Sequence, residues 1–147
     1  KEAKAYIEGF FRTYAGVRAW LDATTKAAEE GGRVTTLLGR HRTIPELSSN
    51  THMIRQAGLR IAANTPIQGS AADLCKVAML QLERELLAAG LKAQIVLQIH
   101  DELLLEVPAA EVEATEVITR RVLETCVALR VPLVVDLGRG DSWGAAH

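Results

Sequence analysis

The fold is decided by Gln94-Ile95-Val96-Leu97-Gln98-Ile99-His100-Asp101-Glu102-Leu103-Leu104-Leu105-Glu106-Val107. Two short apolar runs flank the polar triplet of residues 100–102, and within each run the residues alternate, so that Ile95, Leu97 and Ile99 occupy every second position. This period-two pattern predicts two half-buried strands, and their short separation predicts a tight hairpin. Because turns ordinarily carry polar residues, the triplet alone indicates a turn more strongly than a metal site.

Helical and extended patterns alternate through the rest of the chain. Apolar spacing predicts helices over about 2–14, 17–30, 51–63, 68–89 and 109–128, and short strands over 33–38, 42–47 and 131–137. Pro66 is expected to break or kink the helical pattern near residues 64–65. Helices that alternate with paired strands favour an α+β fold with a small antiparallel sheet.

The composition is that of an ordinary globular domain. The chain has 147 residues, 48% of them hydrophobic and 24% charged, and its net charge of -1 gives no overall sign of a nucleic-acid partner. No run approaches the roughly 18 apolar residues of a membrane span, and no signal peptide is visible. Cys75 and Cys126 are expected to be buried free thiols, which fits a cytoplasmic location. Because the helical pattern starts at residue 2 without an N-cap, we expect a piece of a longer polypeptide.

Polar residues at helical spacing form a candidate binding surface. Arg60, Asn64 and Gln68 are four residues apart, so a continuous helix would place them on one face. These side-chain types hydrogen-bond phosphates and base edges. A solvated polar face is the simpler interpretation of the spacing alone. The small residues 69–72 that follow would allow close approach of another backbone or of a nucleic acid.

Asp101 and Glu102 are candidates for metal chemistry. In extended backbone they would point to opposite sides, so they would not chelate a metal ion as a pair. A Mg²⁺ ion is held by one or two carboxylates together with phosphates and water, so Asp101 could be half of a two-metal site. His100-Asp101 is also similar to the metal-binding pair of phosphohydrolases, but the other histidines show no recognisable ligand spacing.

Five short blocks follow one another along the chain. They are Tyr14-Ala15-Gly16-Val17, Thr36-Leu37-Leu38-Gly39-Arg40-His41-Arg42, Asn64-Thr65-Pro66-Ile67-Gln68-Gly69-Ser70-Ala71-Ala72-Asp73, Gln98-Ile99-His100-Asp101-Glu102-Leu103, and Gly138-x-Gly140-x-x-Trp143. In order and spacing they resemble motifs of the family A (polymerase I type) DNA polymerases: Y-P-G-V, T-x-x-G-R-x-R, N-x-P-x-Q-G-[TS]-A-A-D, motif C and a closing G-x-x-W. Ala15 replaces the usual proline, and His41 replaces a common arginine, which puts a phosphate contact at that position in doubt.

The resemblance implies a place in a polymerase domain. Residues 1–31 would be the end of the fingers helices, and residues 32–147 would be a portion of the palm. Asp101 matches the motif C aspartate that helps to hold the metal ions. Glu102 matches a weaker acidic contributor near the primer end, and His100 matches a contact with the primer terminus.

The resemblance also implies partners. Arg60, Asn64 and Gln68 match a helix that touches the minor groove of template-primer DNA, and Arg40 and Arg42 are expected near the DNA backbone. The implied activity is Mg²⁺-dependent transfer of a nucleotide from a dNTP to a primer 3′ end in DNA replication and repair.

Part of the family pattern is absent from the chain. Motifs A and B would lie before residue 1, so we expect the isolated chain to be inactive and to need the upstream remainder of its polypeptide. An exposed sheet edge would favour self-association of the isolated chain. A non-catalytic nucleic-acid-binding module that retains the palm scaffold is the alternative.

Overall fold

The computed structural model describes residues 2–146. The helices are α1 (Glu2–Thr13), α2 (Ala15–Gly31), α3 (His52–Ala88) and α4 (Val112–Thr125), and the strands are β1 (Arg33–Thr35), β2 (His41–Thr43), β3 (Gln94–Ile99) and β4 (Glu102–Glu106). Short 3-10 turns occupy Pro45–Ser48, Ala109–Glu111 and Trp143–Ala145. The chain divides into two compact units, one ending at Ala71 and the other beginning at Ala72. The prediction of an α+β fold with small antiparallel sheets is confirmed.

The first unit contains α1, α2, the β1–β2 hairpin and the first part of α3. Gly32 ends α2 in the left-handed region, with φ of +64°, and its N–H donates to the carbonyl of Ala28 at 2.8 Å. The two predicted strands are real but shorter than expected, and β2 ends at Thr43, before the 3-10 turn that Pro45 begins. The core of this unit consists of Ala28, Val34, Ile44, Leu47 and Ala62.

Helix α3 is continuous, so the prediction of two helices with a break near residues 64–65 is wrong. It runs for 37 residues with Pro66 inside it. The proline ring removes one N–H, the partner of the Ala62 carbonyl, and leaves the rest of the hydrogen-bond ladder. The segment around the proline is also bonded to the β1–β2 hairpin, since Arg42 donates to Thr65 Oγ1 at 3.2 Å. Tertiary contacts therefore outweigh the local preference of proline.

The second unit is built on the β3–β4 hairpin, which is confirmed. Its strands pair antiparallel, from Gln94 opposite Glu106 to Ile99 opposite Glu102. One face packs on a core formed by Leu82, Leu86, Ala93 and Val122. Helix α4 is shorter than the predicted helix, beginning after the 3-10 turn and ending at Thr125.

A bulge at Val96 changes the predicted faces of β3. Ile95 lies opposite Leu105, whereas Leu97 lies opposite Leu104, so Val96 is the extra residue. Because facing residues share a side of a sheet, Ile95 joins Leu105 on the core face and Leu97 lies on the other face. The expectation from simple alternation that Ile95 and Leu97 share a face is therefore wrong.

The predicted strand over residues 131–137 is also wrong, since these residues form no backbone ladder. Exposed and half-buried residues do alternate from Leu133 to Leu137. The polar groups of Val135 are bound by side chains of α4 instead: its N–H donates to Glu124 Oε1 at 3.2 Å, and its carbonyl accepts from Arg120. This segment is therefore held by side chains of α4 and belongs to no sheet. Among residues 2–146, no helix is long and apolar enough to cross a membrane.

Candidate functional site

The acidic tip of the β3–β4 hairpin is a two-residue turn. His100 and Asp101 form the turn, because Ile99 and Glu102 are the last paired residues. His100 has φ of +49° and is the non-glycine residue with positive φ among the described residues. Gln98 Nε2 donates to the carbonyl of His100 at 2.6 Å and ties the turn to its strand. This left-handed conformation suits a tight hairpin turn, and it leaves the side chains of residues 100–102 exposed.

A thiol lies within electrostatic reach of this tip. Burial raises the pKa of the Cys75 thiol, the neighbouring Cys126 and Asp101 raise it further, and Lys76 opposes them. Both cysteines are free; Cys126 is buried, as predicted, and Cys75 is half-buried. Because its pKa is raised, Cys75 stays a neutral thiol at neutral pH rather than a nucleophile. Nothing in the sequence connected Cys75 with Asp101.

The residues of the tip can supply part of a metal site. Asp101 presents an exposed carboxylate, the oxygen ligand that Mg²⁺ prefers. Glu102 is the adjacent acid, at the first position of β4. Within residues 2–146, no three His, Cys, Asp or Glu side chains come together in a way that could hold a metal ion. The donor chemistry therefore fits a contribution to a Mg²⁺ site and does not make a complete one.

The candidate binding surface in the first unit lies on α3. Arg60, Asn64 and Gln68 are exposed on the continuous helix. Their spacing of four places them along one face, with a gradual drift around the axis. The neighbouring Thr65 is buried at 5% exposure, so the polar row borders the packed side of the helix.

Arg40 and Arg42 reach α3 from the hairpin. Arg40 Nη2 donates to the carbonyl of Gly69 at 3.1 Å, and Arg42 Nη1 donates to Thr65 Oγ1 at 3.2 Å. Both residues are exposed, and a guanidinium is a planar donor of the kind that binds phosphates. His41 lies between them, and its Nδ1 forms a hydrogen bond with the Thr35 hydroxyl at 2.8 Å. The helix-directed bonds of the two arginines were not predicted from the sequence.

Comparison with known proteins identifies the family. The model of DNA polymerase family A matches residues 1–145. The chain belongs to DNA polymerase family A. DNA polymerase I of Bacillus subtilis is 46% identical over 143 residues, which are 97% of this chain and 16% of that protein. DNA polymerase I of Mycobacterium leprae is 45% identical over 146 residues, again 16% of its length.

The fold is that of family A as well. The polymerase domain of Pol1 from M. smegmatis, solved in complex with DNA primer-template and dNTP, superposes with a TM-score of 0.94 at 44% identity. The match covers 99% of this family A chain and 26% of the solved one. This chain therefore corresponds to about a quarter of that polymerase-domain structure and to a sixth of the curated relatives.

Proposed function

We propose that this chain is a section of a DNA-directed DNA polymerase that transfers a nucleotide from a dNTP to the 3′ end of a primer paired with a template. Membership of family A supports the reaction class. The observation that carries the proposal is the exposed tip at Asp101, at the end of a hairpin whose other end is anchored in a core. A carboxylate presented on rigid strands can be held in place with little loss of entropy.

The proposed roles at the tip follow from exposure and chemistry. Asp101 would give a carboxylate to Mg²⁺, Glu102 would assist as the neighbouring acid, and His100 would contact the primer terminus. When bound, Mg²⁺ supplies charge stabilisation at the reacting phosphate and activates the attacking oxygen. Further carboxylates would have to come from outside the described residues. On this proposal the 147-residue chain alone does not extend primers.

The proposed DNA contacts are in the first unit. Arg60, Asn64 and Gln68 are exposed donors on one helical face, which suits the minor groove because A·T and G·C pairs both present acceptors there. Arg40 and Arg42, which are both exposed, would meet the phosphate backbone with their guanidinium groups. Sequence-independent contacts of this kind suit an enzyme that must copy any template.

We also propose where this chain lies in the polymerase domain, where the protein works and which partners it has. Residues 1–31 would be the end of the fingers and residues 32–147 a portion of the palm, in a protein that works in the cytoplasm. The remainder of its polypeptide, template-primer DNA and a dNTP would be its partners. A sheet edge exposed in the isolated chain would promote self-association.

The test is substitution of Asp101 in the full-length polypeptide. We expect Asp101→Ala to lower the single-turnover rate of primer extension about a hundredfold or more, because it removes an electrostatic contribution to the transition state. Affinity for primer-template DNA should stay within about twofold. Asp136→Asn, at an exposed acid in the same unit, is the matched control and should leave both quantities unchanged. Equal loss of rate and affinity would contradict the catalytic role, and unchanged extension with salt-dependent binding would favour the non-catalytic module.

A further inference from the structure

The loop between β1 and β2 is bonded to α3 next to the candidate DNA row. The Leu37 N–H donates to Ser70 Oγ at 2.7 Å, and Ser70 Oγ in turn donates to the carbonyl of Pro66. Arg40 Nη2 donates to the carbonyl of Gly69 at 3.1 Å. These three contacts within the first unit and the bond from Arg42 to Thr65 are called the loop lock below.

The loop lock acts where α3 is weakest. Pro66 has no N–H, so the carbonyl of Ala62 loses its ladder partner at this turn of the helix. Ser70 back-bonds to the carbonyl four residues earlier, a contact that ordinarily bends or loosens a helix. The Leu37 N–H holds the same hydroxyl from outside. The β1–β2 loop therefore supports the turn of α3 that Pro66 and Ser70 weaken.

The β1–β2 loop also lies in close van der Waals contact with α3 at Gly69. A Cβ at Gly69 would lie 2.8 Å from Thr36 Cγ2, closer than side chains approach in folded proteins. Thr36 is buried at 5% exposure, and its Oγ1 accepts from the Arg40 N–H at 3.1 Å. Glycine at position 69 is what allows the loop to lie against the helix.

The α3 residues of the loop lock lie next to Asn64 and Gln68 in the sequence. Thr65 follows Asn64 directly, and Pro66 and Gly69 lie on either side of Gln68. We infer that Thr36, Gly69 and Ser70 are positioning residues that hold Asn64 and Gln68 in the register needed to distinguish a matched primer end from a mismatched one. They do this without touching DNA. The inference rests on the proposed function of the row.

The physical reason is the position of acceptors in the minor groove. Matched pairs present acceptors at closely similar places, whereas a mismatch displaces them. A donor held on a rigid helix can hydrogen-bond only to acceptors at the matched positions. A donor on a loosened helix can also move to reach the displaced acceptors of a mismatch. Loosening the loop lock should therefore reduce discrimination more than it reduces the rate with a matched primer.

The experiment uses the full-length polypeptide with Ser70 replaced. We expect Ser70→Ala to lower the ratio of matched to mismatched primer extension about fivefold, the equivalent of one hydrogen bond. Ser70→Thr keeps the hydroxyl and should restore the ratio. Ser48→Ala, at an exposed serine of the same unit, is the control and should leave it unchanged. Hydrogen exchange of the peptide that contains Leu37 should be faster in Ser70→Ala only.

A second pair of variants tests the steric contact. Gly69→Ala should lower the same ratio, because the new methyl group displaces the loop from the helix. Adding Thr36→Ser removes Cγ2 and keeps the hydroxyl that accepts from Arg40, so the double variant should recover discrimination. A double variant no better than Gly69→Ala would contradict the contact proposed here.

The outcomes separate this inference from the function on which it rests. If the unsubstituted protein does not extend primers, the proposed function is wrong and the inference falls with it. If the protein extends primers and Ser70→Ala leaves the ratio unchanged while accelerating exchange at Leu37, only the positioning role is wrong. A lower ratio restored by Ser70→Thr supports it.

Discussion

Arg139 contacts the carboxylate of Glu116 with two nitrogen atoms of its guanidinium group. Its Nη2 lies 2.6 Å from Oε2, and its Nε donates to Oε1, so the C-terminal segment is joined to α4 by a bidentate ion pair. The hydrogen bond from Arg139 holds the pKa of Glu116 below its usual range, and Glu116 correspondingly raises the pKa of Arg139. Since arginine stays charged throughout the accessible range, only the carboxylate gives this contact a pH dependence.

The first prediction is acid release of the C-terminal segment. A depressed carboxyl pKa contributes stability that is present above the unfolded value, about 4.3, and is lost as the pH falls through the lower folded value. The protection of the amides over residues 133–146, relative to their intrinsic exchange rates, should therefore fall below about pH 4. In Arg139→Ala, exchange should already be fast at neutral pH and should lose most of this dependence. Arg130→Ala, at another exposed arginine, should keep the profile of the unsubstituted chain.

The second prediction concerns the bond between Glu124 and Val135. Replacing Glu124 by alanine removes the acceptor of the Val135 N–H, so exchange at that amide should accelerate about fivefold or more, the equivalent of one hydrogen bond. Glu124→Gln retains an oxygen acceptor and should stay within about twofold of the unsubstituted chain. The two rates can be read by amide exchange in NMR. Equal acceleration in both variants would mean that the negative charge, through its 3.6 Å pair with Arg120, matters more than the acceptor.

The third prediction compares two leucines of α3. Leu82 has 0% exposure and belongs to the core of the second unit, whereas Leu87 is 78% exposed. Leu82→Ala should lower the free energy of unfolding by about 2–5 kcal/mol, because it leaves a cavity as well as losing burial. Leu87→Ala should change it by about 0.5 kcal/mol or less. Denaturant titration of both variants measures the difference, and similar losses would show that Leu87 is covered in solution.

The fourth prediction concerns the turn at His100. Its φ of +49° lies in the left-handed region, which asparagine tolerates and β-branched residues do not. His100→Asn should leave the free energy of unfolding within about 0.5 kcal/mol. His100→Val should lose about 1–2 kcal/mol, the cost of forcing a branched side chain into that region. Denaturant titration is again the measurement, and equal stability of the two variants would mean that the turn relaxes to another conformation.

Comparison of sequence and structure shows which interactions decide each element. Periodicity located the hairpin and the helices, because those patterns record burial on one side of an element. The proline rule failed at Pro66, because bonds from a loop about thirty residues earlier in the chain support the helix there. Alternation failed at Val96, because a bulge depends on the partner strand rather than on the strand's own sequence.

Some features of the candidate site could be predicted from the sequence, and others could not. Asp101 at the tip and the exposed face of Arg60, Asn64 and Gln68 follow from local pattern and from the family motifs, although their roles in catalysis and binding stay predictions. The bonds of Arg40 to Gly69 and of Leu37 to Ser70 could not be predicted, since each joins residues about thirty positions apart. Contacts at that separation depend on how the chain folds back on itself rather than on any local pattern.

The bulge at Val96 also makes one position of the hairpin tolerant of a change in length. Deleting Val96 would leave Ile95 opposite Leu105 and Leu97 opposite Leu104, so both halves of the hairpin would keep their present partners. Deleting Gln98 instead would shift the residues before it by one place and turn Ile95 away from the core. Natural or engineered sequences that differ in length within this strand should therefore lose or gain their residue at the bulge, with the acidic tip left unmoved.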